Sequence, residues 1–138
     1  MTEKDCIFCK LANGEIPVPK IFEDEDLAVI LDAGPAAQGH ALVIPKSHWK
    51  NIVSAPEDIK AKLIAVAAKV GDAQMKALGA DGFNILINTN VAAGQSVFHV
   101  HVHVIPRYDN DNVLSLWTPG EVKDGAMLIE KIKTAMSN

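Results

Sequence analysis

The stretch Gly94-Gln-Ser-Val-Phe-His-Val-His-Val-His-Val-Ile105 sets the reading of the whole chain. Histidine alternates with valine from 99 to 104. Successive side chains of a β-strand point to opposite faces. The alternation therefore predicts His99, His101 and His103 on one face, and Phe98, Val100, Val102 and Val104 on the other. Valine favours a strand and a buried face. Pro106 lacks a backbone donor and is expected to end the strand.

Three uses fit such a face: a histidine-rich solvent surface, a metal site, or a catalytic surface. The backbone from His99 to His103 spans about 13.6 Å in a strand, whereas zinc needs each nitrogen within about 2.1 Å. All three imidazoles on one ion is therefore a poor fit, although a pair could share one. Gly94-Gln95-Ser96 favours catalysis. Glycine lets backbone approach a ligand, Gln95 and Ser96 add neutral donors, and imidazoles beside free N–H groups suit a phosphate whose charge shifts during reaction.

The chain has 138 residues, 49% of them hydrophobic and 22% charged, which predicts one globular domain able to bury a core without disulfides. No apolar run approaches the ~20 residues of a membrane span, so no membrane association is expected. The opening Met-Thr-Glu-Lys-Asp-Cys does not read as a secretory signal, so the cytoplasm is the expected compartment. The net charge of −4 argues against a nucleic-acid partner. An anionic substrate must then be held by local donors.

Cys6-Ile-Phe-Cys9 opens a short helical turn that Gly14 can cap. A Cys-x-x-Cys pair in such a chain reads as redox, as metal, or as two buried thiols. Its position ahead of any strand favours metal. Two thiolates are only half a tetrahedral site, and His48 and His99 are candidates for the rest. Ile21-Phe22-Glu23 and Leu27–Leu31 form a hairpin around the acidic run 23–26, which reads as a solvated turn. Asp32 follows. His40 starts a third strand that Pro45 stops.

Ser54-Ala-Pro-Glu57 reads as a capping box before a long helix, about Pro56 to Leu78, with an apolar stripe and with Lys60, Lys62, Lys69 and Lys76 facing water. Phe83 to Asn90 is a fourth strand with Asn84, Asn88 and Asn90 on one face. Trp49 reads as core or interface. After Pro106 the pattern weakens to a polar loop, a segment 113–120 that could lie over the site or a partner subunit, and an amphipathic helix from Ala126 to Lys133. The fold class expected is α+β: five antiparallel strands, one long helix and short terminal helices.

His99-Val-His-Val-His-Val-Ile105, with Gly94-Gln95-Ser96, Ala41-Leu-Val-Ile-Pro-Lys-Ser-His48 and the Cys6-Ile-Phe-Cys9 start, resembles the histidine triad (HIT) superfamily of nucleotide-binding proteins, in its bacterial form. The resemblance covers about residues 5–107 and leaves 108–138 as an extension of one domain, 1–138. It implies a homodimer joined across sheet edges and helices. It implies hydrolysis or transfer at the α-phosphorus of a purine nucleotide, with nucleoside phosphoramidates and dinucleoside polyphosphates as substrates. It implies structural zinc on Cys6, Cys9, His48 and His99, and no catalytic metal. Asp32 would receive the ribose, while Asn88, Gly94, Gln95, Ser96 and His103 would hold the phosphate. His40 would buttress the central imidazole and count, with Ser96, His101 and His103, in the catalytic set.

His101 is the expected nucleophile. Zinc would occupy His99, and His103 lies nearer the strand end, so only His101 is central under the Gln95-Ser96 loop. Attack needs one bare ring nitrogen while the other donates to a fixed acceptor, expected to be a carbonyl near His40. The alternative reading from another class is a non-catalytic nucleotide-binding or zinc-stabilised interaction protein.

Overall fold

The computed structural model describes residues 2–137. Its sheet grows from two apolar runs, β2 (Leu27–Leu31) and β3 (Ala41–Pro45), paired antiparallel with Val29 opposite Val43. A two-residue β1 (Phe22–Glu23) folds back on β2 through the acidic turn. On the other side of β3 lies β5 (Val102–Arg107), and β4 (Gly82–Leu86) forms the far edge. The order is β1-β2-β3-β5-β4, antiparallel throughout. Helices α1 (Ile7–Ala12), α2 (Glu57–Leu78) and α3 (Gly125–Met136) complete the α+β architecture that the sequence predicts. Among the described residues no helix is long and apolar enough to cross a membrane.

Period-two alternation sorts the core into two layers. Leu27, Val29, Ala41, Val43, Val102 and Val104 pack with Ile59, Leu63, Ala67 and Val70 of α2. Ala28, Ile30, Leu42 and Ile44 point the other way and pack with Phe8 and Ala12 of α1. His103 pairs across from Leu42, so it shares the α1 face. The long helix thus seals one side of the sheet, and the chemistry-bearing side chains gather on the other.

Several local expectations are corrected. The triad strand begins at Val102, so His99 and His101 lie in the approach to it, and Phe98 is exposed beneath Lys50 Nζ rather than buried. Pro106 sits inside β5 opposite Phe83 and does not end it. The pairing of β5 with β3 stops at Val104, so Pro106 has a partner strand on one side only and its missing N–H leaves no ladder bond unmade. β4 stops at Leu86; Asn90 turns the chain at φ +73°. The capping box does not form. Pro56 is the N-cap in an extended conformation, and Ser54 Oγ is bonded to the Asn51 carbonyl instead. The acidic run is more than a solvated turn. Asp24 accepts the N–H groups of Asp26 and Leu27, and Lys62 bridges Asp24 and Asp26 at 2.6 and 2.8 Å instead of facing only water.

Helix α2 lies tightly against β4 at Gly71. A Cβ there would lie 2.3 Å from the Phe83 ring. Alanine raises helix propensity by about 1 kcal/mol over glycine, but overpacking a filled core costs about 1–3 kcal/mol. The steric term decides the sign here, because the whole ring edge and not a flexible tip would have to move. Gly71→Ala should therefore lower the unfolding free energy by about 1 kcal/mol in urea titration; a gain in stability would show that Phe83 has room to give way.

Candidate functional site

Three segments converge on the α1 face of the sheet: helix α1, the start of β3 with the loop before it, and the run 95–103. His99 is fully buried. Its Nε2 lies 2.8 Å from the Pro45 carbonyl, which can only accept, so Nε2 carries the proton and Nδ1 is bare. That bare Nδ1 faces Cys6 Sγ at 3.4 Å, Cys9 Sγ at 3.4 Å and His48 Nδ1 at 3.2 Å, and Cys9 Sγ lies 3.5 Å from His48 Nδ1. The four donor atoms lie within 4.8 Å of one another.

These spacings match a tetrahedral ion. With zinc–sulfur and zinc–nitrogen bonds of about 2.3 and 2.1 Å, tetrahedral geometry puts nitrogen and sulfur about 3.6 Å apart and two nitrogens about 3.4 Å apart. The opposite edge of His48 faces Glu3, with Nε2 to Oε2 at 3.7 Å, an arrangement that orients its Nδ1 inward. Burial pushes the Cys9 thiol up, so a thiolate there calls for an adjacent cation. The donor set fits zinc, and Cys6, Cys9, His48 and His99 come together as the sequence reading expects.

His101 follows one turn of extended chain later. Its Nδ1 lies 2.8 Å from the His99 carbonyl, so that nitrogen donates and Nε2 keeps its lone pair. The expected acceptor, a carbonyl near His40, is corrected to that of His99. The Phe8 ring stands edge-on to His101, with centroids 4.7 Å apart and planes at 87°. Burial holds His101 below its usual pKa, and it takes His103 down to about 4. The imidazoles are neutral near pH 7.

His40 is buried and also below its usual pKa through desolvation. It meets His103, with Nε2 to Nδ1 at 3.0 Å, and not the central His101; the buttressing expected of it is corrected accordingly. Asp32 Oδ1 accepts the Gly34 N–H at 2.8 Å, and its Oδ2 lies 3.5 Å from His40 Nε2.

A cavity of about 430 Å³ opens over these groups. Asp32, Ser96, His101 and His103 are its polar lining, and Ile7, Phe8, Leu11, Val18, Ile30 and Leu42 are among the apolar residues that line it. Asn88, Gly94 and Gln95 are not among its lining residues. Asn88 Nδ2 reaches the Gly94 carbonyl at 3.4 Å, and Gly94 turns at φ +97°. The buried Gln95 amide is spent on backbone, accepting from Asn90 N–H and donating to the Lys50 and Val97 carbonyls. Gln95 shapes the loop, and Ser96 is the loop residue that faces the cavity. The apolar wall was missed in the sequence. Ile7, Phe8 and Leu11 sit at helical spacing around the cysteine pair, and that spacing was its one signal. A separate groove between Ile21, Phe22, Val66 and Val70 is apolar apart from Lys69 and offers no comparable chemistry.

The HIT domain family matches residues 13–110. A 37% identical stretch of 129 residues aligns with an adenylylsulfatase of Arabidopsis thaliana, covering 94% of this chain and 64% of that protein, so the chain spans less than two thirds of that relative. The chain belongs to the HIT family. A Streptococcus mutans crystal structure superposes with a TM-score of 0.87 at 38% identity, covering 99% of this chain and 86% of the other. A zinc-bound histidine triad family protein from Mycobacterium smegmatis superposes at 0.76 with 37% identity and 96% coverage of both chains. The HIT assignment accounts for the triad, the sheet and the cysteine-histidine cluster together.

The low pKa of His103 has a consequence for stability. An imidazole that binds its proton near 6.5 when unfolded and near 4 when folded favours the native state fully above 6.5. As pH falls from 6.5 towards 4 the unfolded chain takes up the proton first, so stability declines through that window. The wild-type unfolding free energy should therefore drop between pH 7 and pH 5, and His103→Asn should remove about 1–2 kcal/mol of that drop. Identical pH dependences for the two proteins in urea titrations would contradict the partly buried, neutral His103.

Proposed function

We propose that the protein hydrolyses nucleotides at the α-phosphorus, taking nucleoside phosphoramidates or dinucleoside polyphosphates through a nucleotidyl intermediate on His101. The observation that carries this reading is the 2.8 Å bond from His101 Nδ1 to the His99 carbonyl, which leaves Nε2 bare on a side chain that lines the cavity. A neutral imidazole with one fixed donor and one free lone pair is a competent nucleophile at pH 7. Nε2 of His101 forms a bond to phosphorus, and the bond from phosphorus to the leaving amine or phosphate breaks with its electron pair on the leaving group. Water then attacks phosphorus, the phosphorus–nitrogen bond breaks, and the nucleoside monophosphate departs. Ser96 and His103 supply donors to the phosphate, Asp32 receives the ribose hydroxyls, and the apolar wall takes the purine base. Asn88, Gly94 and Gln95 set the loop over the phosphate, and His40 supports the set from behind. The adenylylsulfatase relative supports chemistry at a nucleotidyl group.

Zinc on Cys6, Cys9, His48 and His99 is part of the proposal. It would fix α1, and with it Phe8, against the triad. Its contribution is structural, and the reaction needs no second metal. A homodimer is proposed as well. α3 presents Met127, Leu128, Ile129, Ile132 and Met136 to solvent, and Leu116 and Trp117 are more than four-fifths exposed. Among the described residues α3 buries none of its side chains, and an amphipathic helix so exposed gains by burying its apolar face against a second copy.

His101→Asn should abolish turnover of adenosine phosphoramidate while nucleotide affinity stays within about tenfold, or about 1.4 kcal/mol. The phosphorus adduct trapped on wild type should map to His101 by mass spectrometry; an adduct on another residue would overturn the mechanism. Elemental analysis of protein purified without chelator should find one zinc per chain, and Cys9→Ala should lose it together with about 4 kcal/mol of stability. Sedimentation should report twice 14.8 kDa. The double substitution Leu128→Glu/Ile132→Glu should shift that mass towards the single chain, and a monomeric wild type would refute the dimer.

A further inference from the structure

Two clusters of metal-capable side chains exist among the described residues: the cysteine-histidine set, and Asp32, His40 and His103. The second has the composition of a two-histidine, one-carboxylate site. Its hydrogen bonds decide what it holds. The Ala36 main-chain N–H donates to His40 Nδ1 at 3.0 Å. A backbone N–H can only donate, so His40 Nδ1 is bare. A neutral imidazole with a bare Nδ1 carries its proton on Nε2. That Nε2–H lies 3.0 Å from His103 Nδ1 and 3.5 Å from Asp32 Oδ2, so the shorter and better bond goes to His103. His103 Nδ1 therefore accepts. The remaining nitrogen of His103, a residue that lines the cavity, must carry the proton.

We propose that the Ala36 amide, acting through His40 as a positioning residue, locks His103 as its Nε2–H tautomer, so that His103 offers the nucleotide pocket a proton donor and His101 alone offers a lone pair. The same lock excludes a second metal, because His40 Nε2 has no lone pair to give while Ala36 donates to Nδ1.

The spacing that the lock needs is enforced from the far side of the sheet. The buried Gln74 amide of α2 donates from Nε2 to both the Gly39 and the Val104 carbonyls at 2.9 Å. Those are the neighbours of His40 and His103. One side chain thus holds the two backbone segments in register behind the imidazole pair. Register also comes from the ladder, where His103 stands opposite Leu42 and Leu86. His103 and His101 lie side by side, ring centroids 4.9 Å apart, with opposite ring nitrogens protonated. The division of labour between two chemically identical side chains follows from what lies behind each ring: a carbonyl behind His101, an N–H behind His103.

The inference deepens the proposed phosphoryl chemistry, but its test does not depend on turnover. Uniformly 15N-labelled protein, as purified and without nucleotide, is examined by long-range 1H–15N correlation of the histidine rings at pH 7. His103 should show protonated Nε2 and bare Nδ1, and His101 the reverse. His40→Glu replaces the donor by an acceptor and should flip His103 to Nδ1–H. His40→Gln keeps an N–H donor at the equivalent position and should preserve the wild-type pattern. In an assay with a phosphoramidate substrate, His40→Glu should lower kcat/KM by about a hundredfold, the usual cost of one donor at a developing charge, and His40→Gln should recover most of that loss. Zinc titrated beyond one equivalent should leave the His40 and His103 signals unmoved. The proposal is overturned if wild-type His103 carries its proton on Nδ1, if His40→Glu folds with an unchanged His103 tautomer, or if excess zinc shifts the His40–His103 signals. Absence of turnover with the predicted tautomers in place would instead sink the hydrolase reading and leave the lock standing.

Discussion

The fold of the site hangs on the hydrogen bonds of one residue, His99. Its Nε2 donates to the Pro45 carbonyl, its Nδ1 faces two thiols and a second imidazole, and its own carbonyl accepts from His101. A single buried residue thereby ties the end of β3 and the helix α1 through its imidazole, and the ring of His101 through its carbonyl, into one unit. The bond to Pro45 is what makes the others possible. With Nε2 committed as a donor, Nδ1 must be bare, and a bare nitrogen fully buried beside two thiols and another imidazole is stable only with a proton or a cation among them. Rotating the His99 ring would cost the Pro45 bond, leave that carbonyl unpaired and turn Nδ1 away from the two thiols.

The sheet itself imposes the separation on which this depends. Period-two alternation gives one face wholly to α2 and leaves the other to α1 and the imidazoles. Valine at 102 and 104 anchors β5 to the long helix, so His103 has no choice of side. The long helix carries no reacting group, yet Gln74 reaches from it to the two carbonyls that flank the His40–His103 pair. A structural element far from the pocket sets the distance between two of its side chains.

Much of this was legible in the residues. The alternating valines and histidines, the five strands, the long helix and the Cys-x-x-Cys pair were readable because each rests on a short-range period or on spacing that chemistry restricts, whereas the pairing of those cysteines with His48 and His99 came from the family resemblance. The errors were of another kind. Pro106 reads as a strand end from its missing N–H alone, and only the pairing shows that β3 has already parted from β5 there. Ser54 reads as a cap by its spacing to Glu57, but the turn at Asn51 competes for it. The partner of His40 could not be read, since it depends on how two distant segments are juxtaposed; the acceptor of His101 lies only two residues back, but which carbonyl the ring turns to is set by the path of the backbone between them. The apolar wall from α1 was hidden because the cysteines that bracket Phe8 carry a stronger signal than Phe8 itself.

Charge explains why the site is built from neutral groups. The chain has a net charge of −4, and no lysine or arginine lines the cavity. A phosphate cannot be drawn in by a general positive field. A cationic imidazole would attract it, but a protonated His101 has no lone pair and cannot be the proposed nucleophile. Burial resolves the conflict by keeping the imidazoles uncharged, with His103 near 4. Attraction then has to come from N–H dipoles that are already oriented before the ligand arrives, which cost little reorganisation when charge develops on phosphorus oxygens. Such dipoles act over a few ångströms. On the proposed function the pocket needs its apolar wall: contact with the nucleoside would bring the phosphate within reach of donors too weak to summon it from solution.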